Sequence, residues 1–276
     1  MSDRPFRRIR FAWVAAVIVA AGLLLPGFVR AEGDDAEALA KKLQNPIANL
    51  ISVPLQSNWD WGIGRFGTDA MRYTLNVQPV IPISLGKDWN LITRTIVPFI
   101  HAESPIAGGD SAGGIGDILQ SFVLSPTTPL GGFILGGGPV FLYPSASNDA
   151  IGSEKWGAGP TVVALRQDRG FTYGIVANHV WSFAGNDRRQ DVTSTFMQPF
   201  LSYTTRTSTT FGVNTESTYD WENSQWTVPI NATVAQLVKV GPLPIQLQLG
   251  YRYYAERPIG GPDWGIRFTF TFLFPK

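Results

Sequence analysis

Cysteine is absent from the 276 residues, and histidine occurs only twice, at His101 and His179. Without thiolates there is no disulfide framework and no thiolate metal site. The two histidines do not stand at ligand spacing, so neither a metal nor a cofactor is expected. Charge is also scarce: Asp, Glu, Lys and Arg make up 16% of the chain, against about 25% in an ordinary soluble domain. No phosphate-loop pattern occurs. The longest apolar run, Phe11 to Leu25, falls short of the ~20 residues that a membrane-spanning helix needs. What the chain does hold is 29 Gly, 20 Pro and 12% aromatic residues. Both Gly and Pro are poorly tolerated in helix interiors, so this composition favours many short strands joined by turns.

The N-terminus has the order of a secretory signal peptide. Arg4, Arg7, Arg8 and Arg10 precede the apolar run, and Pro26 and the small-residue site Val29-Arg30-Ala31 follow it. Residues 1–31 are expected to be the leader, cleaved after Ala31. Arg7-Arg8 also fits a twin-arginine leader. The strongly apolar run, and a barrel's need to cross the inner membrane unfolded, favour the general secretory route. Removing the leader takes away five Arg and one Asp and leaves seventeen basic against twenty acidic groups. The net charge of +1 therefore belongs to the leader, and no basic footprint for nucleic acid remains.

Residues 32–50 form a segment of their own. Ala36, Leu39, Leu43, Ile47 and Leu50 recur at helical spacing, with Pro46 as an interruption. A short helix is expected, placed either as a plug in a lumen or at the periplasmic surface. From Ile51 the period changes to two, the spacing at which side chains alternate across a sheet. Met71, Tyr73, Leu75, Val77, Ile81 and Ile83 alternate with Arg72, Thr74, Asn76 and Gln78. Leu243, Ile245, Leu247, Leu249 and Tyr251 alternate with Gln246, Gln248 and Arg252. Breaks at Gly and Pro clusters give twelve strands, near 51–60, 70–84, 89–100, 117–125, 133–143, 156–166, 171–181, 193–204, 208–221, 226–238, 243–254 and 264–274. The expected fold is all-β: a transmembrane antiparallel up-and-down barrel spanning residues 51–276, behind a short N-terminal helix.

Three features separate a barrel in lipid from a soluble sandwich. Short connections (85–88, 167–170, 205–207, 239–242) alternate with longer ones (61–69, 101–116, 144–155, 182–192, 255–263), as periplasmic turns alternate with exterior loops; 126–132 and 222–225 fit least well. Trp59, Trp61, Trp156, Trp181, Trp221, Trp226 and Trp264 fall at strand ends facing the long loops, and Trp89 falls at the opposite rim. These eight form an expected interfacial girdle. In the last strand Trp264, Ile266, Phe268, Phe270, Phe272 and Phe274 share one face. Such a face would aggregate in water and suits lipid. Phe270, Phe272 and Phe274 stand where barrels carry their assembly signal, although Pro275 and Lys276 follow the last aromatic residue.

Several local strings strengthen this reading. Asn45-Pro46 leads into Ile51-Ser52-Val53-Pro54-Leu55-Gln56-Ser57-Asn58, and Gly116-Asp117-Ile118, Gly137-Gly138-Pro139 and Gln198-Pro199-Phe200 follow. Together with the order of elements, they resemble the bacterial outer-membrane barrel family labelled transporter or meta-pathway of phenol degradation protein, some members of which carry the name neuromedin U. The resemblance runs over most of the mature chain. It implies an outer-membrane location and passage of small, aromatic or otherwise hydrophobic compounds, and it supplies no site residues.

By parity Arg72, Arg94, Asp117, Glu216, Asp220, Arg252 and Arg267 face the lumen, with Asp60 and many Asn, Gln and Thr. Such a lumen is either a polar pathway with a charged constriction or an ion-paired filling that closes it. A channel for small-molecule cargo and a closed structural or adhesive barrel therefore both stay open. A lipid-acting enzyme is the remaining class, since His179 faces outward near the exterior rim. The position two residues on, where such enzymes carry serine, is Trp181, so no catalytic residue and no enzymatic activity are expected. Gly136 to Gly138 lie inside a strand, where close packing or curvature is their expected role. Expected partners are outer-membrane lipids, lipopolysaccharide (near Arg188 and Arg189) and the barrel-assembly machinery.

Overall fold

The computed structural model describes residues 29–30, 34–64, 68–106 and 108–274. The expected leader lies outside them except for Val29–Arg30, a two-residue strand, as do Pro275 and Lys276. After helix α1 (Asp34–Leu43) come twelve antiparallel strands. These are β1 (Ile51–Ile63), β2 (70–85), β3 (Trp89–Ala102), β4 (112–126), β5 (Ile134–Tyr143), β6 (Lys155–Asp168), β7 (Phe171–Gly185), β8 (Thr193–Thr204), β9 (209–220), β10 (Gln225–Val240), β11 (Leu243–Glu256) and β12 (Trp264–Phe274). Each pairs with its neighbour in sequence, and β12 returns to β1 with Trp264 opposite Trp61 and Phe274 opposite Ile51. The result is a closed barrel with no free edge, the arrangement by which strands satisfy their backbone groups inside lipid.

Three strands are interrupted, each for a local reason. β2 breaks at Gln78-Pro79, where proline offers no N–H to the ladder, and the Gln78 N–H donates across to Pro54 O instead. In β9 the break falls at Glu216, opposite Pro229 of β10, and the pairing keeps one register on both sides. β4 begins earlier than expected. Ala112–Ile115 already pairs with Phe99 to Ala102, and a bulge at Gly116-Asp117 hid this extension from a reading based on turn residues. Elsewhere the strands run a few residues past their expected ends on the long-loop side.

Register and burial agree on which face points inward. In β12 the odd residues Gly265, Arg267, Thr269, Thr271 and Leu273 are buried, while the even residues from Trp264 to Phe274 keep exposure. The outward side also carries Ile81, Phe99, Leu124, Val162 and Phe211, all among the exposed large apolar residues. An apolar surface continuous around a closed barrel calls for lipid. Among the described residues no helix is long and apolar enough to cross a membrane.

The N-terminal segment enters the barrel at the short-turn end. Ala36, Ala40, Ala48 and Leu50 pack with Leu237 of β10 and Leu273 of β12, both inward-facing and both fully buried. Lys41 O accepts from Gln167 Nε2 of β6 at 2.8 Å. Ile47 goes deeper, into a cluster with Ile92, Val123, Val163, Leu165 and Val176. The apolar stripe of the segment is thus covered by inward-facing residues of the barrel. Val29–Arg30 pairs with Val238 and Lys239 of β10 at the same end.

The outward orientation of Phe270, in mid-strand, yields a test. Phe270→Arg is expected to cost about 2–4 kcal/mol of folding stability in bilayers, measured by urea titration of vesicle-folded protein. A cost equal to that of Thr269→Arg, which faces inward, would contradict the assignment of faces.

Candidate functional site: the barrel lumen

Four of the seven lumen candidates meet in the long-loop half of the barrel. Arg267 Nη1 and Nη2 donate to Glu216 Oε1 and Oε2, each at 2.7 Å, a bidentate pair. Arg267 Nε and Arg252 Nη1 both donate to one oxygen, Asn58 Oδ1, at 2.7 and 2.8 Å. Arg252 lies 3.7 Å from Asp60 Oδ1 and 3.8 Å from Glu216 Oε2, and its guanidinium stands over the Tyr254 ring. Arg94 reaches toward this group from β3 and donates from Nη2 to Gln78 Oε1 of β2. The strands dictate the meeting: β12, β1 and β11 are consecutive around the wall, and the parity of each turns these residues inward.

The other three candidates do different work. Arg72 is exposed and lines a vestibule of about 960 Å³ under the long loops, with Tyr254, Ile106 and Ile259. Asp117 is taken up by a loop. Its Oδ1 accepts from Ala146 N at 3.2 Å, and its Oδ2 accepts from Ser153 N and Oγ at 2.6 Å, so it pins the long loop 144–154. The bulge beside it turns the side chain upward. Asp220 caps the turn at 221–224, accepting from Glu222 N, Asn223 N and Asn223 Nδ2. Parity alone cannot see either set of bonds, because both residues stand where the ladder ends or bulges.

Loop ties continue at Lys155, which is buried and whose Nζ lies 2.8 Å from Asp191 Oδ1. The hydrogen bond from that ammonium, then the one from the Ser182 hydroxyl, hold the Asp191 carboxyl below its ordinary range. Arg189 pairs with Glu154 at 3.2 Å.

The lumen is two-sided rather than polar throughout. Inward positions of β9 to β12, β1 and β2 supply Asn231, Thr233, Gln246, Gln248, Thr269 and Gln56. Those of β3 to β8 supply Ile92, Val123, Val140, Leu165, Val176 and Phe200 beside Arg94, Thr161, Gln198 and Ser202. The parity reading named only charged and polar members of the inner face. The apolar stretch of β5 escaped it because glycines interleave with the aliphatic residues, giving Gly136, Gly138, Val140 and Leu142 on the same face. Below the arginine group a cavity of about 240 Å³ opens, with Arg94, Gln78 and Gln246 on its walls and Lys42 to Leu50 of the N-terminal segment on its floor. Three buried atoms of residues around it, Ser202 Oγ, Gln246 Nε2 and Thr269 Oγ1, have no protein partner. Asn58, Gln78 and Phe200 are the site residues that sequence reasoning did not single out; only their shared inward parity marks them.

On the outside, Trp61 stacks on Trp264 with centroids 4.7 Å apart, and Trp59 lies 5.1 Å from Tyr73. Tyr143 meets Trp156, and Tyr219 contacts both Trp221 and Trp226. Trp181 lies 4.1 Å from His179. Trp89 sits at the short-turn rim, where Phe171 and Tyr203 also pair. His179 faces outward. Its Nδ1 is 2.6 Å from Thr195 Oγ1, which also accepts from Trp221 Nε1 at 2.8 Å. Among the described residues no group of His, Asp or Glu is disposed to hold a metal.

The network predicts an asymmetry. Glu216→Leu leaves buried Arg267 without its bidentate partner and Arg252 without one of its two neighbouring carboxylates, and is expected to cost about 3 kcal/mol. Asp60→Asn, which loses only the longer contact, is expected to cost clearly less. Urea titration of vesicle-folded variants checks this, and equal losses would contradict the reading of Glu216 as the principal counter-ion.

No family model and no curated protein matches the sequence. Among solved structures the chain is similar to an outer membrane channel from Pseudomonas putida F1. The TM-score is 0.64 at 12% identity, with 82% of this chain and 96% of that chain covered. It is also similar to the NanC porin, with a TM-score of 0.51 at 10% identity, covering 81% of this chain and all of the other. At these identities the likeness is one of fold.

Proposed function

We propose that this chain is an outer-membrane channel for small solutes, one of the transporter barrels of the meta-pathway of phenol degradation family that its sequence resembles. The observation that carries this reading is the hollow of about 240 Å³ between the arginine group and the N-terminal segment, lined by amide and hydroxyl residues together with apolar ones. A barrel serving only as a wall gains nothing by leaving a space inside it, since the side chains around a void lose packing contacts. The channel and the porin of similar fold are consistent with it.

On this reading the leader directs export by the general secretory route. Phe270, Phe272 and Phe274 present the assembly signal to the barrel-assembly machinery, the tryptophan girdle sits at headgroup depth, and the loop bearing Arg188 meets lipopolysaccharide. A solute enters the vestibule at Arg72 and passes the arginine group along the apolar wall of β3 to β8. That wall suits aromatic or otherwise hydrophobic cargo. The solute then reaches the cavity and leaves when residues 34–50 shift.

A second reading, a closed structural barrel, draws support from the tight packing of Ala36, Ala40 and Leu50 against Leu237 and Leu273. Plug variants separate the two. Full-length protein in liposomes is expected to pass small aromatic solutes in swelling assays, and Ala40→Glu, which places a carboxylate at a fully buried position, is expected to raise the rate several-fold. Ile47→Cys combined with Gly136→Cys, in a chain with no other cysteine, is expected to lower it until a reductant is added. No permeation by wild type or Ala40→Glu, with folding verified by heat-modifiable mobility, would establish the closed barrel instead.

A further inference from the structure

We infer that the cavity beneath the arginine group is a binding site for a small organic carboxylate, with Arg94 as the group that holds the anion. This deepens the channel reading and rests on it by naming the charge class of the cargo.

The first observation is the charge of the walls. The cavity is lined by Arg94 and, at its periplasmic mouth, by Lys42. No Asp or Glu lines it among the described residues. The two acids of the lumen, Asp60 and Glu216, both lie with Arg252 and Arg267, and neither lines the hollow. Arg94 itself has one hydrogen bond, to Gln78, out of the five that a guanidinium can donate. It lies deep in the barrel yet is not fully buried, so its accessible surface faces the lumen.

The second observation is the kind of polar atom left unmatched. Gln246 Nε2 can only donate, and Ser202 Oγ and Thr269 Oγ1 carry hydroxyl hydrogens. All three belong to side chains more than nine-tenths buried, and their residues line this cavity. Hydroxyls and an amide N–H group beside a guanidinium favour an oxyanion over a cation. The third observation is the apolar part of the lining, supplied by Phe200, Val176 and Val80. A carboxylate on an apolar body fits both parts. The volume, about 240 Å³, lies below the ~300–1,000 Å³ of drug-sized pockets and suits a single small ring or short chain.

Isothermal titration of the full chain, folded in detergent micelles, tests this with benzoate, its neutral analogue benzamide, and inorganic phosphate. Benzoate is expected to bind saturably and at least about tenfold more tightly than benzamide, the scale of one charge-assisted hydrogen-bonded pair (about 1.4 kcal/mol). Phosphate, which cannot use the apolar wall, is expected to bind more weakly than benzoate. Arg94→Gln should abolish the preference for benzoate, Arg94→Lys should keep part of it, and Arg188→Gln, in an outer loop, should leave it unchanged. If Arg94→Gln does not fold, Thr269→Val and Gln246→Ala carry the test from the other wall, each expected to weaken benzoate several-fold. Equal binding of benzoate and benzamide, a preference that survives Arg94→Gln, or no saturable binding would overturn the inference. Liposome permeation measured alongside keeps the two readings apart. Solute passage without benzoate preference removes the carboxylate site alone, whereas benzoate binding without passage leaves the site and removes the channel.

Discussion

Closure of the sheet is the constraint on which everything else in this molecule depends. Once β12 pairs with β1 from Trp264–Trp61 down to Phe274–Ile51, every strand has two neighbours and the backbone is satisfied without water. The side chains are then divided without remainder into an outer and an inner set. Lipid and lumen each receive alternate residues, so the apolar belt and the arginine group are products of the same ladder. A shift of one residue between any two strands would exchange the sets.

This explains why so much was legible beforehand. Period-two alternation is a strong signal when both faces have a chemical identity, and in β12 the phenylalanines and the Arg-Thr-Thr row state it plainly. The twelve strands, their order and the inward turn of Arg94, Glu216, Arg252 and Arg267 follow from that signal. It fails where the ladder itself is irregular. Asp117 stands beside a bulge and Asp220 at a strand end, and there the local hydrogen bonds to Ser153 and Asn223 decide where the carboxylates go. The apolar wall was hidden for another reason. In β5 glycines occupy two of the five inner positions, so the face does not read as oily even though Val140 on it is fully buried.

Alternation also says nothing about what lies inside the wall. The placement of residues 34–50 in the short-turn mouth depends on contacts far apart in sequence, with Ala40 near Leu237 and Leu273 and Ile47 among residues of several strands. Helical spacing signals that the segment has an apolar stripe. Only the assembled barrel shows what the stripe covers. The same holds for Asn58, one uncharged oxygen shared by two guanidinium groups. It reads as an ordinary polar residue until β11 and β12 bring the arginines to it.

Gly136 shows how economically the inner segment is seated. A β-carbon built there would lie 2.6 Å from Val123 Cγ1 and 3.0 Å from Ile47 Cδ1, so the wall makes room for the segment by omitting a side chain. Seat and wall are thereby coupled at one point. A side chain at position 136 would press on Val123 of the neighbouring strand and on Ile47 of the segment alike, so the depth to which Ile47 sinks and the fit of two strands are set by the size of one residue.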